Sequence, residues 1–232
     1  MIEEVWRRVR EARRIDSLVI ATDDERIAKA VAGFGAEVAM TSPDHPSGTD
    51  RSAEVLRGRS EQFEVILVVQ GDEPLVTGTC LDKLIECFDG DAPEMATLSE
   101  PLADIRELFD PGIVKVVTDE RGRALYFSRS PIPYHRGDAT RLETDFREAL
   151  SKRPDGLAGY LKHQGLYAYS RKALLDLTGR QPSMLELDEG LEQLRALQAG
   201  YSIRVVESDF RSFSVDTPED LKRVAIMLTE AN

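Results

Sequence analysis

Residues 64–70 (EVILVVQ) form the most hydrophobic strand that the sequence predicts, and helical patterns precede and follow it. A strand with apolar residues at successive positions must be covered on both faces, which is typical of a parallel sheet between layers of helices. Shorter apolar runs at 17–22 and 36–40 alternate with amphipathic patterns. We therefore predict an α/β fold with a mostly parallel sheet flanked by helices, in which Asp23 caps the helix that ends near Phe34.

The segment after residue 110 is more polar and richer in turn residues. Residues 113–119 and 124–128 flank the sequence Glu120-Arg121-Gly122-Arg123, a pattern that predicts an antiparallel hairpin. A strand is predicted at 163–170 and one helix at 184–199, which Gly200 ends. We predict a single domain over residues 1–232 with an inserted antiparallel β-rich subregion at 113–170.

The charge of the chain argues against a nucleic-acid partner. Asp and Glu number 42 and Lys and Arg 30, which gives a formal net charge of −12, and such a chain repels a polyanion. No apolar run approaches the ~20 residues of a membrane span, so we expect no membrane insertion. Cys80 and Cys87 lie in a predicted helix and are expected to be reduced thiols, which is typical of a cytoplasmic protein.

Two acidic residues stand where strands end. Asp72 follows the hydrophobic strand in the sequence Gln70-Gly71-Asp72-Glu73-Pro74, and Asp216 precedes a helix that Thr217 is expected to cap. In open α/β sheets ligands bind beyond the carboxyl ends of the strands, and Mg²⁺ takes one or two carboxylates together with phosphate oxygens. The alternative is that both acids only stabilise a turn or a helix end.

The other candidate site residues are weaker evidence for a function when each motif is taken alone. Ser47-Gly48-Thr49 opens a predicted helix and offers backbone N–H groups to an anion or a base edge, with Arg51 adding a positive charge. The segment lacks the Lys and the spacing of a Walker loop. Arg129 ends a strand beside two prolines, His163 lies in a strand and Glu192 in a helix. His163 also fits a satisfied polar residue of the strand, and Glu192 also fits a solvated helix face.

Taken together and in this order, the motifs are specific. The sequence resembles the CMP-Kdo synthetases, the 3-deoxy-manno-octulosonate cytidylyltransferases. The resemblance spans Ala21 to Leu221 and rests on the strings ATDDERIA, DHPSGTDR, VVQGDEP, MATL, VKVVTDERGRALYFSR, PIP, KHQGLYAY, LEQLRAL and VDTPEDL.

The resemblance implies Mg²⁺-dependent transfer of CMP from CTP to Kdo (3-deoxy-D-manno-octulosonate) with release of pyrophosphate, for lipopolysaccharide biosynthesis. It also implies a homodimer that forms partly through the 113–170 subregion. Asp72 and Asp216 match the catalytic, metal-binding acids. The residues that match nucleotide-binding positions are Ser47, Gly48, Arg51 and Gln70. Those that match the sugar-acid pocket are Arg129, His163, Tyr167, Glu192 and Gln193.

One departure from the family concerns the start of the chain. Family members open with a strand and a basic phosphate loop that ends in a GKPMI-like stretch, and this chain begins at the Met-Ile of that stretch. We expect an open position in the sheet and weakened triphosphate binding. Two alternatives stay open: a cytidylyltransferase for another 2-keto sugar acid, and an inactive nucleotide- or sugar-binding homologue. A phosphatase with Asp72 as nucleophile would need a second Asp where Pro74 stands.

Overall fold

The computed structural model describes residues 1–134, 147–148, 150, 156–208, 210–213, 215 and 217–230. Its strands are β1 (Ile20–Thr22), β2 (Val38–Met40), β3 (Val65–Val68), β4 (Met95–Pro101), β5 (Lys115–Thr118), β6 (Ala124–Ser128), β7 (Leu161–Ser170) and β8 (Ile203–Glu207). Its helices are α1 (Ile2–Val9), α2 (Glu25–Gly33), α3 (Gly48–Gly58), α4 (Gly78–Glu86), α5 (Ile105–Phe109), α6 (Arg171–Leu177), α7 (Met184–Glu189), α8 (Gln193–Gln198) and α9 (Pro218–Glu230).

The chain divides into two compact units. The first unit consists of Met1–Ala96, Leu166–Arg180 and Ser208–Asn232, and the second of Thr97–Gly165 and Gln181–Glu207. The single domain over residues 1–232 and the inserted subregion at 113–170, with its part in a dimer, stay predictions.

Strands of the first unit pair in two ways. β1 and β2 form a parallel two-stranded sheet, with Ile20 opposite Val38. β3 pairs with the end of β7 in the antiparallel sense, Val65 lying opposite Ser170. The mixed α/β class, with a sheet flanked by helices, is confirmed, whereas the pairing found for β3 differs from the parallel pairing expected for residues 64–70. Apolar composition reports that a strand is covered and carries no information on the direction of its neighbour.

Helix ends in the first unit follow capping chemistry. Asp24, and not Asp23 as predicted, caps α2, because its carboxylate accepts a hydrogen bond from the backbone N–H of Arg26 at 2.7 Å. Thr217 caps α9 as predicted, since its hydroxyl accepts from the backbone N–H of Asp220 at 3.2 Å.

A sheet with the order β6-β5-β7-β4-β8 runs through the second unit. β5 and β6 form the predicted antiparallel hairpin, with Lys115 opposite Ser128. The prediction of one helix at 184–199 is wrong. Gly190 adopts a left-handed conformation with φ of 64° and ends α7, and α8 starts three residues later. A glycine in this conformation is a common helix terminator because it has no Cβ to clash.

Both cysteines are free thiols, Cys80 being buried and Cys87 half-buried. Within the described ranges, no helix combines the length and the apolar character that crossing a membrane requires.

Candidate active site

The residues singled out from the sequence fall into both units. The first unit holds Ser47, Gly48, Arg51, Gln70, Asp72 and Tyr167, and the second holds Arg129, His163, Glu192 and Gln193. Asp216 lies outside the described residues.

Gln70 and Gly48 come into close contact in the first unit. Ser47 caps α3 by accepting a hydrogen bond from the backbone N–H of Asp50 at 3.2 Å. The next residue, Gly48, lies beside the exposed amide of Gln70, and a Cβ at position 48 would lie 3.1 Å from Gln70 Nε2 and 3.3 Å from its Oε1. The structure thus brings together three of the four predicted nucleotide-binding residues at the first turn of α3, where backbone N–H groups are unpaired within the helix.

Arg51, the fourth of these residues, joins α3 to the ends of β1 and β2. Its guanidinium donates to the hydroxyl of Thr41, which directly follows β2, and to the carbonyl of Ser42 at 3.5 Å. It also forms an ion pair of 3.3 Å with Asp23, which directly follows β1. Arg51 is therefore held at the carboxyl edge of the β1–β2 sheet, the side on which ligands bind in α/β proteins.

Asp72 lies in the turn after β3, and a distant segment reaches that turn. The backbone N–H of Val215 donates to the carbonyl of Asp72 at 3.1 Å. The buried Glu73 accepts a hydrogen bond from the hydroxyl of Ser212, with O–O distances of 3.3 and 3.4 Å. The residue before Asp216 in the sequence is thus in contact with the turn that carries Asp72.

Arg129 is tightly held in the second unit. The backbone N–H of Arg129 and the hydroxyl of Ser128 donate to the carboxylate of Glu189 at 2.9 and 2.6 Å. The guanidinium donates to three carbonyls, those of Glu189 at 2.7 Å, Pro111 at 2.9 Å and Gly190 at 3.3 Å. Because a guanidinium has five N–H donors, the described contacts leave two of them for a ligand, one on each Nη.

His163 is buried, with 8 % of its surface exposed, and burial lowers its pKa to about 3. The ring is therefore neutral near pH 7. Its Nε2 lies 3.0 Å from Thr97 Oγ1, and this hydroxyl also donates to the carbonyl of Gln164 at 3.2 Å. Since a hydroxyl carries a single proton, this arrangement favours the tautomer in which His163 Nε2 is the donor and Nδ1 the acceptor.

The last three predicted sugar-acid residues differ in environment. Gln193 is 5 % exposed, and its Nε2 has no hydrogen-bond partner among the described residues. Glu192 directly precedes α8 and is half-buried. Tyr167 is also half-buried, and its ring lies 5.8 Å from that of Tyr169, centroid to centroid.

Comparison with known proteins decides the family. A family model described as "Cytidylyltransferase" matches residues 1–207. A 3-deoxy-manno-octulosonate cytidylyltransferase from Syntrophotalea carbinolica is 50 % identical over 225 residues, which cover 97 % of this chain and 86 % of the relative. This chain belongs to the 3-deoxy-manno-octulosonate cytidylyltransferase family. The resemblance drawn from the sequence motifs is thereby confirmed.

Further relatives agree with this assignment. The 3-deoxy-manno-octulosonate cytidylyltransferase of Geobacter sulfurreducens is 45 % identical, with 97 % of this chain and 87 % of the relative covered. A solved CMP:2-keto-3-deoxy-manno-octonic acid synthetase in complex with CTP superposes with a TM-score of 0.85 at 36 % identity, covering 100 % of this chain and 88 % of the other. The fold is shared by a 4-diphosphocytidyl-2C-methyl-D-erythritol synthase from Anaerococcus prevotii, which superposes with a TM-score of 0.61 at 16 % identity. The superposition covers 98 % of this chain and 88 % of the other.

In this member of the cytidylyltransferase family, three residues that hold the candidate site were not predicted from the sequence as site residues. Asp23 pairs with Arg51, and Glu189 and Lys115 both hold Arg129. A lysine within the apolar strand sequence VKVV was a usable signal, because an unpaired buried ammonium is costly. Glu189 had no such signal, since it lies 60 residues from Arg129 and only the fold brings them together.

Proposed function

We propose that this protein transfers CMP from CTP to Kdo, giving CMP-Kdo and pyrophosphate. The observation that carries the proposal is the 50 % identity, over nearly the whole chain, to a protein named 3-deoxy-manno-octulosonate cytidylyltransferase. The similarity in fold to a synthetase solved with CTP supports the choice of nucleotide. Both agree with the activity that the sequence motifs imply.

Nucleotidyl transfer depends on positioning and on neutralising charge more than on covalent catalysis. In the proposed reaction the anomeric hydroxyl of Kdo attacks the α-phosphorus of CTP in line, and pyrophosphate leaves. The hydroxyl loses its proton as the new P–O bond forms.

On the nucleotide side, we assign Ser47, Gly48, Gln70 and Arg51 to CTP. The exposed amide of Gln70 and the first turn of α3 present hydrogen-bonding groups side by side. Arg51 adds positive charge beside them. Backbone N–H groups at a helix start and a fixed guanidinium suit a base edge or a phosphate oxygen.

On the sugar-acid side, Arg129 is the partner we assign to the carboxylate of Kdo. One N–H on each Nη suits a bidentate contact with a carboxylate. The neutral ring of His163 and the amide of Gln193 suit sugar hydroxyls, which both donate and accept hydrogen bonds. We extend the assignment to Tyr167 and Glu192 on the basis of the family motifs.

We propose that the reaction also requires a bound Mg²⁺ ion. Across the described ranges no three His, Cys, Asp or Glu side chains cluster as a ready-made cation site. This fits Mg²⁺, which takes one or two protein carboxylates and completes its shell with phosphate oxygens and water. Asp72 would hold it, and Asp216 is proposed as the second acid because Val215 contacts the Asp72 turn. The bound ion would stabilise charge that develops on the α-phosphate.

The wider setting is proposed on the same basis. A CMP-Kdo synthetase acts in lipopolysaccharide biosynthesis, and reduced cysteines fit a cytoplasmic location. A homodimer would cover part of the exposed apolar surface of the second unit. Leu125 on β6 and Met184 and Leu187 on α7 are 62 %, 70 % and 70 % exposed.

The test incubates the purified chain with CTP, Kdo and MgCl₂ and follows pyrophosphate release and CMP-Kdo formation by ³¹P NMR. The other nucleoside triphosphates and other 2-keto sugar acids are run in parallel. Faster turnover with another sugar acid would overturn the choice of Kdo. Binding of CTP without turnover on any acid would favour an inactive homologue, and omission of MgCl₂ tests the metal.

A further inference from the structure

Lys115 is fully buried at the start of β5, with 0 % of its surface exposed. Burial lowers the pKa of its ammonium, while the nearby Asp110 and Glu189 act in the opposite direction and Arg129 adds to the lowering. A buried ammonium is tolerated only when its three N–H groups find acceptors. The position therefore requires an explanation beyond packing.

Three carbonyl oxygens supply those acceptors. Lys115 Nζ donates to the carbonyls of Asp110 at 3.0 Å, Ile113 at 2.6 Å and Arg129 at 2.5 Å. The first two belong to the turn at 110–113, and the third belongs to the residue that follows β6. One ammonium thus fixes the turn against the end of β6.

The same turn also receives the side chain of Arg129. Its Nη1 donates to the carbonyl of Pro111, which lies between the two turn residues that Lys115 holds. Lys115 therefore controls both ends of Arg129, the backbone directly and the guanidinium through Pro111. Glu189 holds the opposite side through the backbone N–H and Nε.

We propose that Lys115 is a positioning residue for substrate specificity, which aims the two remaining N–H groups of Arg129 at the carboxylate of the sugar acid. This inference rests on the proposed function of Arg129. Without the ammonium, the 110–113 turn and the end of β6 lose their common anchor, and the guanidinium loses its fixed direction. A carboxylate held by a planar fork is sensitive to such a change, whereas CTP binding in the first unit is not.

The test uses the full chain with Lys115→Met, which keeps a long unbranched side chain and removes the donors. The matched control is Lys162→Met. Lys162 lies opposite Lys115 in β7 and forms an ion pair of 3.1 Å with Glu100, without contacting the three carbonyls. Both variants lose a lysine of the same unit. Lys115→Gln, which is shorter and neutral, serves as a milder second variant.

For Lys115→Met we expect the KM for Kdo to rise about tenfold, because one charge-assisted contact is weakened. The KM for CTP should not change. The control Lys162→Met should leave both KM values unchanged. Lys115→Gln should show the same selectivity with a smaller rise. In protein labelled with ¹⁵N-arginine, the Nε–H signal of Arg129, assigned by its loss in Arg129→Lys, should exchange faster with solvent in both Lys115 variants. This readout does not depend on activity.

Equal increases in the two KM values, or an Arg129 Nε–H that exchanges as in the unmodified protein, would overturn the positioning role. If Nε–H exchange accelerates while neither the Lys115 variants nor Arg129→Ala alters the KM for Kdo, the positioning role stands and the assignment of Arg129 to the sugar acid fails. The two failures are thus distinguishable.

Discussion

The amide of Gln70 lies so close to the backbone of Gly48 that a Cβ at position 48 would come within 3.1 Å of Nε2. The contact joins the segment after β3 to the first turn of α3. Since Gln70 is exposed and has a long side chain, it can move away from a larger residue, and it would then leave the place it holds beside α3.

Gly48→Ala is therefore expected to impair CTP binding and leave the fold intact. The KM for CTP should rise about threefold to tenfold, the effect of one displaced hydrogen-bonding group. The free energy of unfolding should change by less than about 1 kcal/mol, because alanine is favourable in a helix. Steady-state kinetics and urea unfolding measure the two effects. Gly58→Ala, in the last turn of the same helix with open space around it, is the control and should leave the KM unchanged.

Asp72→Asn tests the metal assignment. The substitution removes the negative charge of the side chain and keeps the backbone carbonyl of residue 72, which accepts from the backbone N–H of Val215. The fold should therefore persist. Turnover at fixed Mg²⁺ should fall by at least about a hundredfold, and the Mg²⁺ concentration for half-maximal rate should rise. The measurement is a Mg²⁺ titration of the rate. Asp91→Asn, an exposed site after α4, should behave as the unmodified chain. A Mg²⁺ dependence that Asp72→Asn does not alter would remove this residue from the metal site.

Arg129→Ala tests the carboxylate assignment. Loss of a bidentate contact should raise the KM for Kdo by at least about a hundredfold and leave the KM for CTP nearly unchanged. Steady-state kinetics with each substrate varied in turn give both values. Comparable increases for the two substrates would contradict the assignment of Arg129 to the sugar acid.

The lowered pKa of His163 predicts how the free energy of unfolding depends on pH. Its pKa of about 3 in the fold lies below its ordinary value of 6.5, so between these values the unfolded chain binds the proton more readily. The stabilising effect of the neutral ring is complete above pH 6.5 and is lost as the pH falls towards 3. The slope reaches about 1.4 kcal/mol per pH unit. Urea unfolding of the unmodified chain and of His163→Gln at pH 7 and pH 5 should show a smaller loss in the variant. Equal losses would mean that His163 is not the group responsible.

The structure leaves no room for a side chain at Gly78. A Cβ on this buried glycine, the first residue of α4, would lie 2.6 Å from backbone atoms of Glu11 and Ala12. Backbone cannot yield as a flexible side chain does, so Gly78→Ala should lower the free energy of unfolding by about 1–3 kcal/mol. Thermal unfolding beside Gly58→Ala measures the difference. A variant as stable as that control would show that the segment after α1 can shift.

Much of the fold could be predicted from the sequence because local signals determine it. The hairpin of β5 and β6 follows from two apolar runs around a Gly-containing turn, and the strand predicted at 163–170 lies within β7. Gly190 was overlooked inside a helical pattern, although its left-handed conformation ends α7. The direction of β3 could not be predicted, since it depends on β7, which lies about a hundred residues further along the chain.

The candidate site was predictable where a residue follows a strand or opens a helix. Ser47, Gln70 and Asp72 are of this kind. The groups that hold Arg129 were not, because the acceptors of its guanidinium are backbone carbonyls. Any residue type provides a carbonyl, so no sequence pattern marks these positions, and only the three-dimensional structure identifies them.

Strand β7 contributes residues 161–165 to the second unit and 166–170 to the first. Successive side chains of a strand point to opposite faces, so Tyr167 and Tyr169 share one face of this strand. Insertion of a single residue between them would turn one of the two over, together with every residue on its side of the insertion. Over evolutionary time this strand can therefore change its length only in steps of two, or with a bulge that absorbs the odd residue. Insertions and deletions in this family should accordingly collect in the connecting segments and spare β7.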